Sequence, residues 1–489
     1  MPKKPDAQKN VVLIHCHDLG QYLSCYDDRH VSTPNIDRLA SEATLFESCF
    51  AAAPTCTPSR ATMFTGLYPH RHGLMGLASG GHWQLDPATP TIASLLTRAG
   101  YACGHYGIFH IGEDLASYGF EEGNLDASCE TCTENTIDLI SRHAAGGTHA
   151  GGTHVGKPFF VSVGFQQPHI PWGAVDPAIE PAGVHVPEYL PRTDETRSEM
   201  AQFYSDVRRV DTCIGRIVDA LVRNGVYDET IVIFTSDHGI ALPLAKGTLY
   251  DAGLTIPLIV RMPDGSGAGH RSTRLVSNAD LLPTILDLLG LESLTPAKLD
   301  GVSIASVIRG DDAYSAEPAA ETAAECGRDF VFAEQSWHDF YEPMRAIRDT
   351  RFKLIHNFRP GTGVQIAGDV LQTRAVAAMS AELAGRVRPE YELYDLSEDP
   401  SETRNVYDDP QYHEAAVRLT AQLSEYLESS GDPIAHGDVA CPPGYFEHFF
   451  MKTNATPGGI PGDHQRDGVF TLRLPPPGAL GHRCTQYPA

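Results

Sequence analysis

The segment CTPSR, residues 56–60, places a thiol, a hydroxyl and a guanidinium within one short stretch of chain. Pro58 lies inside it, and proline is favoured in the first turn of a helix. We therefore expect a helix to begin here, with Thr57 or Cys56 as its N-cap, and to continue through residues 61–65. The reactive groups would then lie at the N-terminus of that helix.

A thiol in this position has a defined chemistry. The N-terminus of a helix stabilises anions and lowers the pKa of a thiol that lies against it. The guanidinium of Arg60 adds a fixed cation that can donate two hydrogen bonds to an oxyanion. Cys56 and Arg60 therefore predict a nucleophile beside an oxyanion pocket. The alternative is a buried structural cysteine, with Arg60 in a surface ion pair.

Two apolar segments end in polar clusters that could bind a metal. VVLIHCHD ends in His17 and Asp18, and TIVIFTSDH ends in Asp237 and His238. Ligands of open α/β sheets bind at the carboxyl ends of the strands, so these side chains are expected to meet around a divalent metal. The alternative is that each aspartate only caps the segment after it. With both histidines the site suits Zn, Mn or Fe, whereas without His17 it suits Ca or Mg.

Predicted strands and helices alternate along the chain, and these elements must position the residues described above. Short apolar runs predict strands at residues 11–14, 159–163, 230–234 and 257–260. Apolar residues spaced by three or four predict helices at residues 91–99 and 193–221. Strands that alternate with helices indicate a doubly wound α/β sheet whose strands are mostly parallel.

The pattern changes after residue 310. Short strands are predicted at residues 330–333, 344–349, 352–357 and 392–396, followed by a helix within residues 408–429. This indicates a small antiparallel subdomain, joined by an Ala- and Glu-rich connection at residues 312–328. Residues 431–489 are rich in Pro and Gly and are expected to be a disordered tail or an arm laid over another surface. The predicted divisions are 1–310, 311–430 and 431–489.

The charge and composition of the chain exclude some classes of protein. The formal net charge of −25, with no basic domain, argues against a nucleic-acid-binding protein. No apolar region of a signal peptide precedes the first strand, and no run of 18 apolar residues predicts a membrane span. The 11 cysteines are scattered and are expected to be mostly reduced; the lone CxxC at Cys129 and Cys132 is weak support for a metal or redox role. We expect a cytoplasmic protein.

Cys56-Thr57-Pro58-Ser59-Arg60, followed by Thr65-Gly66, resembles the signature of the type I, formylglycine-dependent sulfatases of the alkaline phosphatase superfamily. Further blocks follow in that family's order: HDLG (17–20), GIFHIG (107–112), QPHIPW (167–172), TSDHG (235–239), KGTLYDAGLTIPLIV (246–260) and ELYDLSEDPSETRNV (392–406). The resemblance covers about residues 10–430. It implies a large, mostly parallel sheet sandwiched by helices, plus a small C-terminal antiparallel sheet packed with a helix.

The resemblance also implies catalytic roles. Cys56 would be converted to formylglycine, and its hydrate would attack sulfur. Arg60 would hold that residue and the sulfate, and His110 would contact the second hydroxyl and help to expel sulfate. His169 and Lys246 would bind sulfate oxygens, and one of them would protonate the leaving group. A covalent intermediate would split one displacement into two steps.

The implied metal ligands are Asp18, Asp237, His238 and, as the fourth, His17. One departure is His17, which stands where the family has Asp; the metal would be Ca or Mg by family, with Mn or Zn possible given His17 and His238. A second departure is Ile108, which stands where the family has Lys and removes a positive charge from the pocket. Lys246 or two nearby histidines, His70 and His105, could compensate for that charge.

Residues 73–77 (GLMGL) and the proline shortly before Lys246 look most like heparan N-sulfatases (sulfamidases) and their bacterial relatives. An enzyme of that kind cleaves the N–S bond of an N-sulfo sugar such as N-sulfoglucosamine. Candidates for substrate binding are Trp83, which ranks first, and then His82, His105, Tyr106, Trp172, Trp337, His338 and Arg345. The implied partners are a small sulfated substrate, a formylglycine-generating enzyme for maturation and a possible second copy of the chain, but neither nucleic acid nor membrane.

Two alternatives stay open at this point. Phosphonate monoester or phosphodiester hydrolases of the same superfamily also use a formylglycine and an Asp-His metal pair, but they usually carry Ala where this chain has Ser59. A non-catalytic, carbohydrate-binding homologue would keep Cys56 unmodified and bind sugar without turnover.

Overall fold

The computed structural model describes residues 9–28, 30–78, 83–144, 157–310, 328–339 and 341–442. Within these residues the strands form two sheets. The larger sheet contains β1 (Asn10–Cys16), β2 (Thr44–Phe50), β3 (Ala102–Gly107), β4 (Glu122–Asn124), β5 (Phe159–Gly164), β6 (Thr230–Ser236), β7 (Thr255–Arg261) and β8 (His270–Ser277). The smaller sheet contains β9 (Val331–Trp337), β10 (Tyr341–Arg348), β11 (Phe352–Asn357) and β12 (Tyr391–Asp395).

The α-helices of the first two thirds of the chain are α1 (Pro34–Ser41), α2 (Cys56–Thr65), α3 (Pro69–His72), α4 (Ile92–Arg98), α5 (Cys129–Ala144), α6 (Asp194–Arg223), α7 (Asp251–Leu254), α8 (Leu281–Leu288) and α9 (Ala305–Arg309). The later ones are α10 (Arg374–Ala378), α11 (Ser380–Gly385) and α12 (His413–Ser430). No helix in the described ranges is both long enough and apolar enough to cross a bilayer.

The larger sheet has the strand order β4-β3-β5-β1-β6-β7-β2-β8. Every neighbouring pair is parallel except those of β7, which runs antiparallel to both β6 and β2. The central strand β1 is buried along its whole length, with Ile14 opposite Val163 on one side and Phe234 on the other. A strand buried on both faces reads as a continuous apolar run, which is why the sequence predicts it. The expectation of a mostly parallel sheet is confirmed.

Helices cover both faces of this sheet. Val12 and Ile14 face one core together with the apolar sides of α1, α5 and α6, and Val11 and Leu13 face the other together with α2, α4 and α8. The longest helix, α6, turns a stripe that includes Phe203 toward the sheet, as its spacing predicts. The helix-sheet-helix sandwich is therefore confirmed.

The smaller sheet is antiparallel, in the order β12-β11-β10-β9, and α12 packs on it through Leu419, Leu423 and Leu427. Beyond α12, the chain through residue 442 continues along this subdomain, and the indole of Trp337 donates a hydrogen bond to the carbonyl of Val439 (3.0 Å). The first part of the predicted tail is therefore an arm. Residues 443–489, and residues 312–327 of the predicted connection, lie outside the described residues, and the predicted domain divisions stay predictions.

The candidate site lies at the edge of the larger sheet where several parallel strands end. Strands β1, β3, β5 and β6 are mutually parallel, so their carboxyl ends meet at that edge. The chain leaves them as the segments that begin at His17, Ile108, Phe165 and Asp237. β2 runs in the same direction and leads into α2, which brings Cys56 to the same edge.

Candidate active site

Helix α2 starts at Cys56 and is buried along its whole length. Its N-cap is Thr55 rather than Thr57 or Cys56, and the described chain shows no side-chain cap bond there. The predicted cap is therefore wrong: the Thr57 hydroxyl instead accepts a hydrogen bond from the amide of Ala78 (3.1 Å). Gly66 ends the helix at φ 70°, a left-handed conformation that glycine adopts without strain.

Cys56 is 3% exposed and lies among histidines. Burial raises the pKa of its thiol, but the imidazoles of His110, His17 and His238 outweigh burial and hold the pKa well below its ordinary value. The thiol is thus surrounded by groups that stabilise an anion. The sequence-predicted nucleophile is buried, yet its surroundings are polar rather than apolar.

A fourth histidine, His338, reaches Cys56 from the smaller sheet. Its Nδ1 lies 2.7 Å from Oδ2 of Asp339. Burial lowers the pKa of His338, but the Asp339 carboxylate and the Cys56 contact outweigh burial and raise the pKa to about 10. His338, one of the sequence-predicted pocket residues, therefore supplies a positive charge beside Cys56.

Four side chains at the ends of β1 and β6 converge beneath Cys56. His17 Nδ1 lies 2.7 Å from Asp18 Oδ1 and 3.2 Å from Asp237 Oδ2. His238 Nε2 lies 3.1 Å from Asp18 Oδ1 and 3.7 Å from Asp237 Oδ2. The four potential ligand atoms all lie within 4.8 Å of one another, and all four residues are buried. The structure thus brings together every predicted metal ligand.

The chemistry of this cluster fits a cation. Nδ1 of His238 lies 3.0 Å from the carbonyl of Gly239, to which only a protonated nitrogen can donate. Its Nε2 faces the carboxylate of Asp18 and, like Nε2 of His17, has no hydrogen-bond partner among the described residues. A cation between the imidazoles and the carboxylates would satisfy these buried atoms. These residues could therefore hold a divalent metal with two nitrogen and two oxygen ligands.

Arg60 lies wholly buried behind this cluster. One of its terminal nitrogens, Nη2, lies 3.0 Å from Asp237 Oδ2 and donates to the carbonyl of Cys16 (3.2 Å). The other, Nη1, donates to Nδ1 of His15 (2.6 Å). Arg60 therefore fixes a candidate metal ligand, and the alternative of a surface ion pair is wrong. Its predicted contact with sulfate stays a prediction.

His105 lies in the core beneath Arg60. It is 0% exposed, and its ring stacks on His15 with centroids 6.1 Å apart. Burial lowers its pKa to about 3, which keeps the imidazole neutral. The expectation that His105 binds substrate, or replaces the missing charge at Ile108, is therefore corrected: this residue packs the core.

His70 belongs to a buried group of charges. Its Nδ1 lies 3.1 Å from Glu334, and Arg345 pairs with both Glu334 (3.2 Å) and Asp432 (2.5 Å). This buried group of charges joins α3 to the smaller sheet and to the chain after α12. Neither His70 nor Arg345 has the surroundings of a pocket residue, whereas His338 lies beside Cys56.

Asn278, which sequence reasoning did not identify, holds α2 in position. Its side-chain nitrogen donates to the hydroxyl (2.9 Å) and the carbonyl (3.1 Å) of Ser59, and its oxygen accepts from the amide of Ala52 (3.0 Å). The Ser59 hydroxyl in turn donates to the carbonyl of Asp237. Ser59 therefore links α2 to Asp237, one of the candidate metal ligands. No sequence signal distinguishes Asn278 from other asparagines.

Lys246 and His169 lie together next to Asp18. Lys246 Nζ is 3.0 Å from Asp18 Oδ2 and 2.5 Å from Asp369 Oδ2. His169 Nε2 is 3.3 Å from the same oxygen of Asp369 and 3.7 Å from Asp18 Oδ2. Burial lowers the pKa of Lys246, but the two carboxylates outweigh burial and raise it above its ordinary value. Asp369 was missed by sequence reasoning because it lies outside every recognised motif.

His110 completes the ring around Cys56. A ring nitrogen of His110, the Cys56 sulfur and a ring nitrogen of His17 lie within 4.8 Å of one another. His110 has φ 63°, in the left-handed region. The turn before it starts at Gly107, where a Cβ would meet the carbonyl oxygen of Gly164 at 1.9 Å, so only glycine fits. Ile108, in the same turn, is 9% exposed.

The tryptophans proposed to bind substrate have their indole nitrogens engaged. Trp83 donates to the carbonyl of Gly73 (2.9 Å), Trp172 donates to that of Pro168 (2.6 Å), and Trp337 lies with Trp83 against Gly76. Trp172 is partly exposed and shares a loop with His169, whereas the other two are buried. Their roles toward substrate stay predictions. His82 lies outside the described residues.

The CxxC motif begins helix α5. Cys132 donates to the carbonyls of Asp126 (3.3 Å) and Gly164 (3.6 Å), and Cys129 contacts Cys213 of α6. All nine cysteines in the described ranges are unpaired, as expected of reduced thiols.

The sequence matches known families and proteins over most of its length. A family described as "Sulfatase" matches residues 9–291, and one described as "N-sulphoglucosamine sulphohydrolase, C-terminal" matches residues 242–366. The human protein named N-sulphoglucosamine sulphohydrolase is 30% identical over 474 residues, which cover 87% of this chain and 91% of the human one. A Delta 4,5-hexuronate-2-O-sulfatase from Bacteroides thetaiotaomicron is 25% identical and covers 90% of this chain and 94% of its own.

Solved structures share the fold. A protein in complex with its substrate D-glucosamine-2-N,6-O-disulfate superposes with a TM-score of 0.65 at 20% identity, over 87% of this chain and 98% of its own. The phosphonate monoester hydrolase of Agrobacterium radiobacter superposes with a TM-score of 0.64 at 23% identity, over 86% of this chain and 96% of its own. At these identities the likeness is one of fold.

Proposed function

The chain belongs to the sulfatase family, and we propose that it hydrolyses an N-sulfo or O-sulfo sugar with a formylglycine made from Cys56. The observation that carries this proposal is the position of Cys56. It lies at the start of α2, among four histidines, directly beside a buried cluster that fits a divalent metal. A structural cysteine has no need of such surroundings.

Two groups would complete the site. Oxidation of Cys56 would supply an aldehyde whose hydrate is the nucleophile. A divalent cation held by His17, Asp18, Asp237 and His238 would supply positive charge next to that nucleophile. The two imidazoles favour Mn or Zn over Ca or Mg in this proposal. Arg60 fixes Asp237, so it orients the ligand set without being part of it.

The chain's own residues define where the sulfo group binds. Lys246 directs two of its three N–H bonds to Asp18 and Asp369, which leaves one to donate to a sulfo oxygen. His169 lies beside it, is 17% exposed, and has a pKa that nearby carboxylates raise against the effect of burial. A protonated His169 can both donate to a sulfo oxygen and pass a proton to the departing atom of the sugar.

On the other side of the nucleophile, His110 and His338 face Cys56. His338, held as a cation by Asp339, stabilises negative charge that develops next to residue 56. It thereby replaces the charge that is lost where Ile108 stands. His110 is placed to move a proton to or from the group at residue 56.

The substrate class follows from the relatives. The human relative is named for N-sulfoglucosamine, and a structural neighbour binds a glucosamine that carries both N- and O-sulfo groups. We propose a small sulfated sugar as substrate, a formylglycine-generating enzyme as maturation partner and the cytoplasm as the location, the last supported by the unpaired cysteines.

The test is to express the protein with a formylglycine-generating enzyme and to measure the peptide mass at residue 56 and the release of sulfate. We expect an aldehyde mass and turnover of N-sulfoglucosamine or glucosamine 6-sulfate, both lost in Cys56→Ala with an unchanged melting temperature. Parallel assays with a phosphonate monoester separate this function from that of the phosphonate hydrolases. An aldehyde at residue 56 with no turnover of any sulfated sugar would overturn the proposal.

A further inference from the structure

Asp369 is an unexpected residue in a site that binds an anion. It is 20% exposed, and its Oδ2 contacts both Lys246 (2.5 Å) and His169 (3.3 Å), the two groups that would bind the sulfo group. A negative charge there weakens the attraction of these cations for a sulfo oxygen. Lys246 does not need it as a partner, because Asp18 already lies 3.0 Å away. The need to pair Lys246 therefore does not explain why Asp369 is present.

The backbone holds this carboxylate in one orientation. Its Oδ1 accepts a hydrogen bond from the amide of Val370 (2.8 Å), which caps a short 3-10 helix. The preceding Gly368 donates its amide to Asp339 (2.5 Å), and Val370 is wholly buried. Because Oδ1 is engaged by the backbone, Oδ2 is the atom that faces the site. Lys246 and His169 keep the pKa of Asp369 low against the effect of burial, so Oδ2 belongs to a carboxylate and only accepts hydrogen bonds.

His169 is the group proposed to protonate the departing atom, so an acceptor that contacts His169 lies near that atom and can distinguish two kinds of bond. In a sulfamate, the atom between sulfur and carbon is a nitrogen that carries one hydrogen. In a sulfate ester it is an oxygen that carries none. A carboxylate can accept a hydrogen bond from the first and repels the lone pairs of the second. A site that forms a hydrogen bond with a specific N–H or O–H group rejects analogues that lack this group more strongly than a site that recognises shape alone.

We propose that Asp369 is a specificity-determining residue that accepts a hydrogen bond from the bridging N–H of an N-sulfo substrate and disfavours sulfate esters. This inference rests on the proposed function and assigns the leaving-atom selectivity of the same site. Lys246 and His169 position the sulfo group on one side of Oδ2, and the amide of Val370 fixes the carboxylate on the other.

The experiment compares two substrates that differ only in the bridging atom, N-phenylsulfamate and phenyl sulfate. The enzyme carries formylglycine at residue 56, confirmed by mass, and the released sulfate is measured. In Asp369→Asn, the amide oxygen keeps the bond from Val370. The acceptor Oδ2 is then replaced by an NH₂ group, which can only donate. We expect kcat/KM for the sulfamate, divided by that for the ester, to fall at least tenfold.

A matched control is Asp409→Asn. Asp409 also caps a 3-10 helix, through the amide of Gln411 (3.0 Å), but belongs to the surface of the smaller subdomain. Its ratio should match that of the unaltered enzyme. If Asp369→Asn fails to fold, Asp369→Ser keeps a capping oxygen, removes Oδ2 and should lower the ratio as well.

The possible results distinguish a failure of the role of Asp369 from a failure of the proposed function. An unchanged ratio, or equal losses on both substrates, would show that Asp369 only supports the fold of the site. An unaltered enzyme that cleaves phenyl sulfate but not N-phenylsulfamate would overturn the role of Asp369 and leave the sulfatase function intact. An enzyme that bears the aldehyde and cleaves neither these compounds nor the sulfated sugars would overturn the proposed function itself.

Discussion

Nε2 of His238 lies 3.1 Å from Oδ1 of Asp18, and both side chains are wholly buried. Nδ1 of His238 donates to the carbonyl of Gly239, which turns Nε2 toward the carboxylates. A divalent cation between the imidazole and the carboxylates would take the place of a proton on Nε2. This contact is the most direct structural support for a metal at the ends of β1 and β6.

The first prediction concerns which metal binds. His17→Asp replaces an imidazole with a carboxylate and makes the ligand set richer in oxygen, so the preference should shift from Mn or Zn toward Ca or Mg. Metal content by mass spectrometry and melting temperature in each metal would measure this shift. His436→Asp, at an exposed histidine, should leave both unchanged. An unaltered preference in His17→Asp would exclude His17 as a ligand.

The second prediction concerns Arg60. Arg60→Met leaves the buried carboxylate of Asp237 without its cation, so we expect a loss of about 3–5 kcal/mol in the free energy of unfolding after metal removal. Urea denaturation would measure it. Arg38→Met, which breaks an exposed pair with Asp219, should cost less than about 1 kcal/mol. Similar losses for the two variants would contradict the buried role of Arg60.

The third prediction concerns pH. The pKa of His338 is raised from an ordinary 6.5 to about 10, so its ion pair with Asp339 contributes stability that is fully present below pH 6.5 and is lost as pH rises through about 10. Catalysis that needs this cation should decline over the same alkaline range. In Asp339→Asn, burial dominates and lowers the pKa of His338, so the decline should move below neutral pH. A pH profile of kcat/KM with the same alkaline limb in both enzymes would refute this.

The fourth prediction concerns the support of α2. Asn278→Ala leaves the buried amide of Ala52 unpaired and releases Ser59, which should cost about 1–3 kcal/mol in unfolding free energy and lower kcat. Chemical denaturation and steady-state kinetics would measure the two effects. Asn224→Ala, at the partly exposed end of α6, is the control and should leave kcat unchanged. A normal kcat in Asn278→Ala would show that α2 does not depend on this residue.

The sequence predicts best those residues whose positions follow from strand direction. His17, Asp18, Asp237 and His238 come directly after β1 and β6, so the parallel sheet alone brings them together. The same reasoning did not find β2, β3 or β8. β3, for example, reads ACGHYG, which is too rich in small and polar residues to show an apolar run.

Residues that reach the site from the second half of the chain were harder to predict. Asp369 and Asp339 lie in loops of the smaller subdomain, and their placement depends on how that subdomain docks, which no local pattern encodes. His105 shows the opposite error. His105 was expected to bind substrate or to replace the charge missing at Ile108, but its neighbours Phe109 and Phe120 place it in an aromatic core.

The burial of Cys56 also limits when its thiol can be modified. His338 and the strand β9, whose Glu334 amide bonds to the carbonyl of Ala52, close over the start of α2, and they are encoded late in the chain. In the folded chain Cys56 is 3% exposed, which leaves its sulfur out of reach of another enzyme. The oxidation that we propose for Cys56 would therefore have to take place before these segments dock, while the chain is still folding.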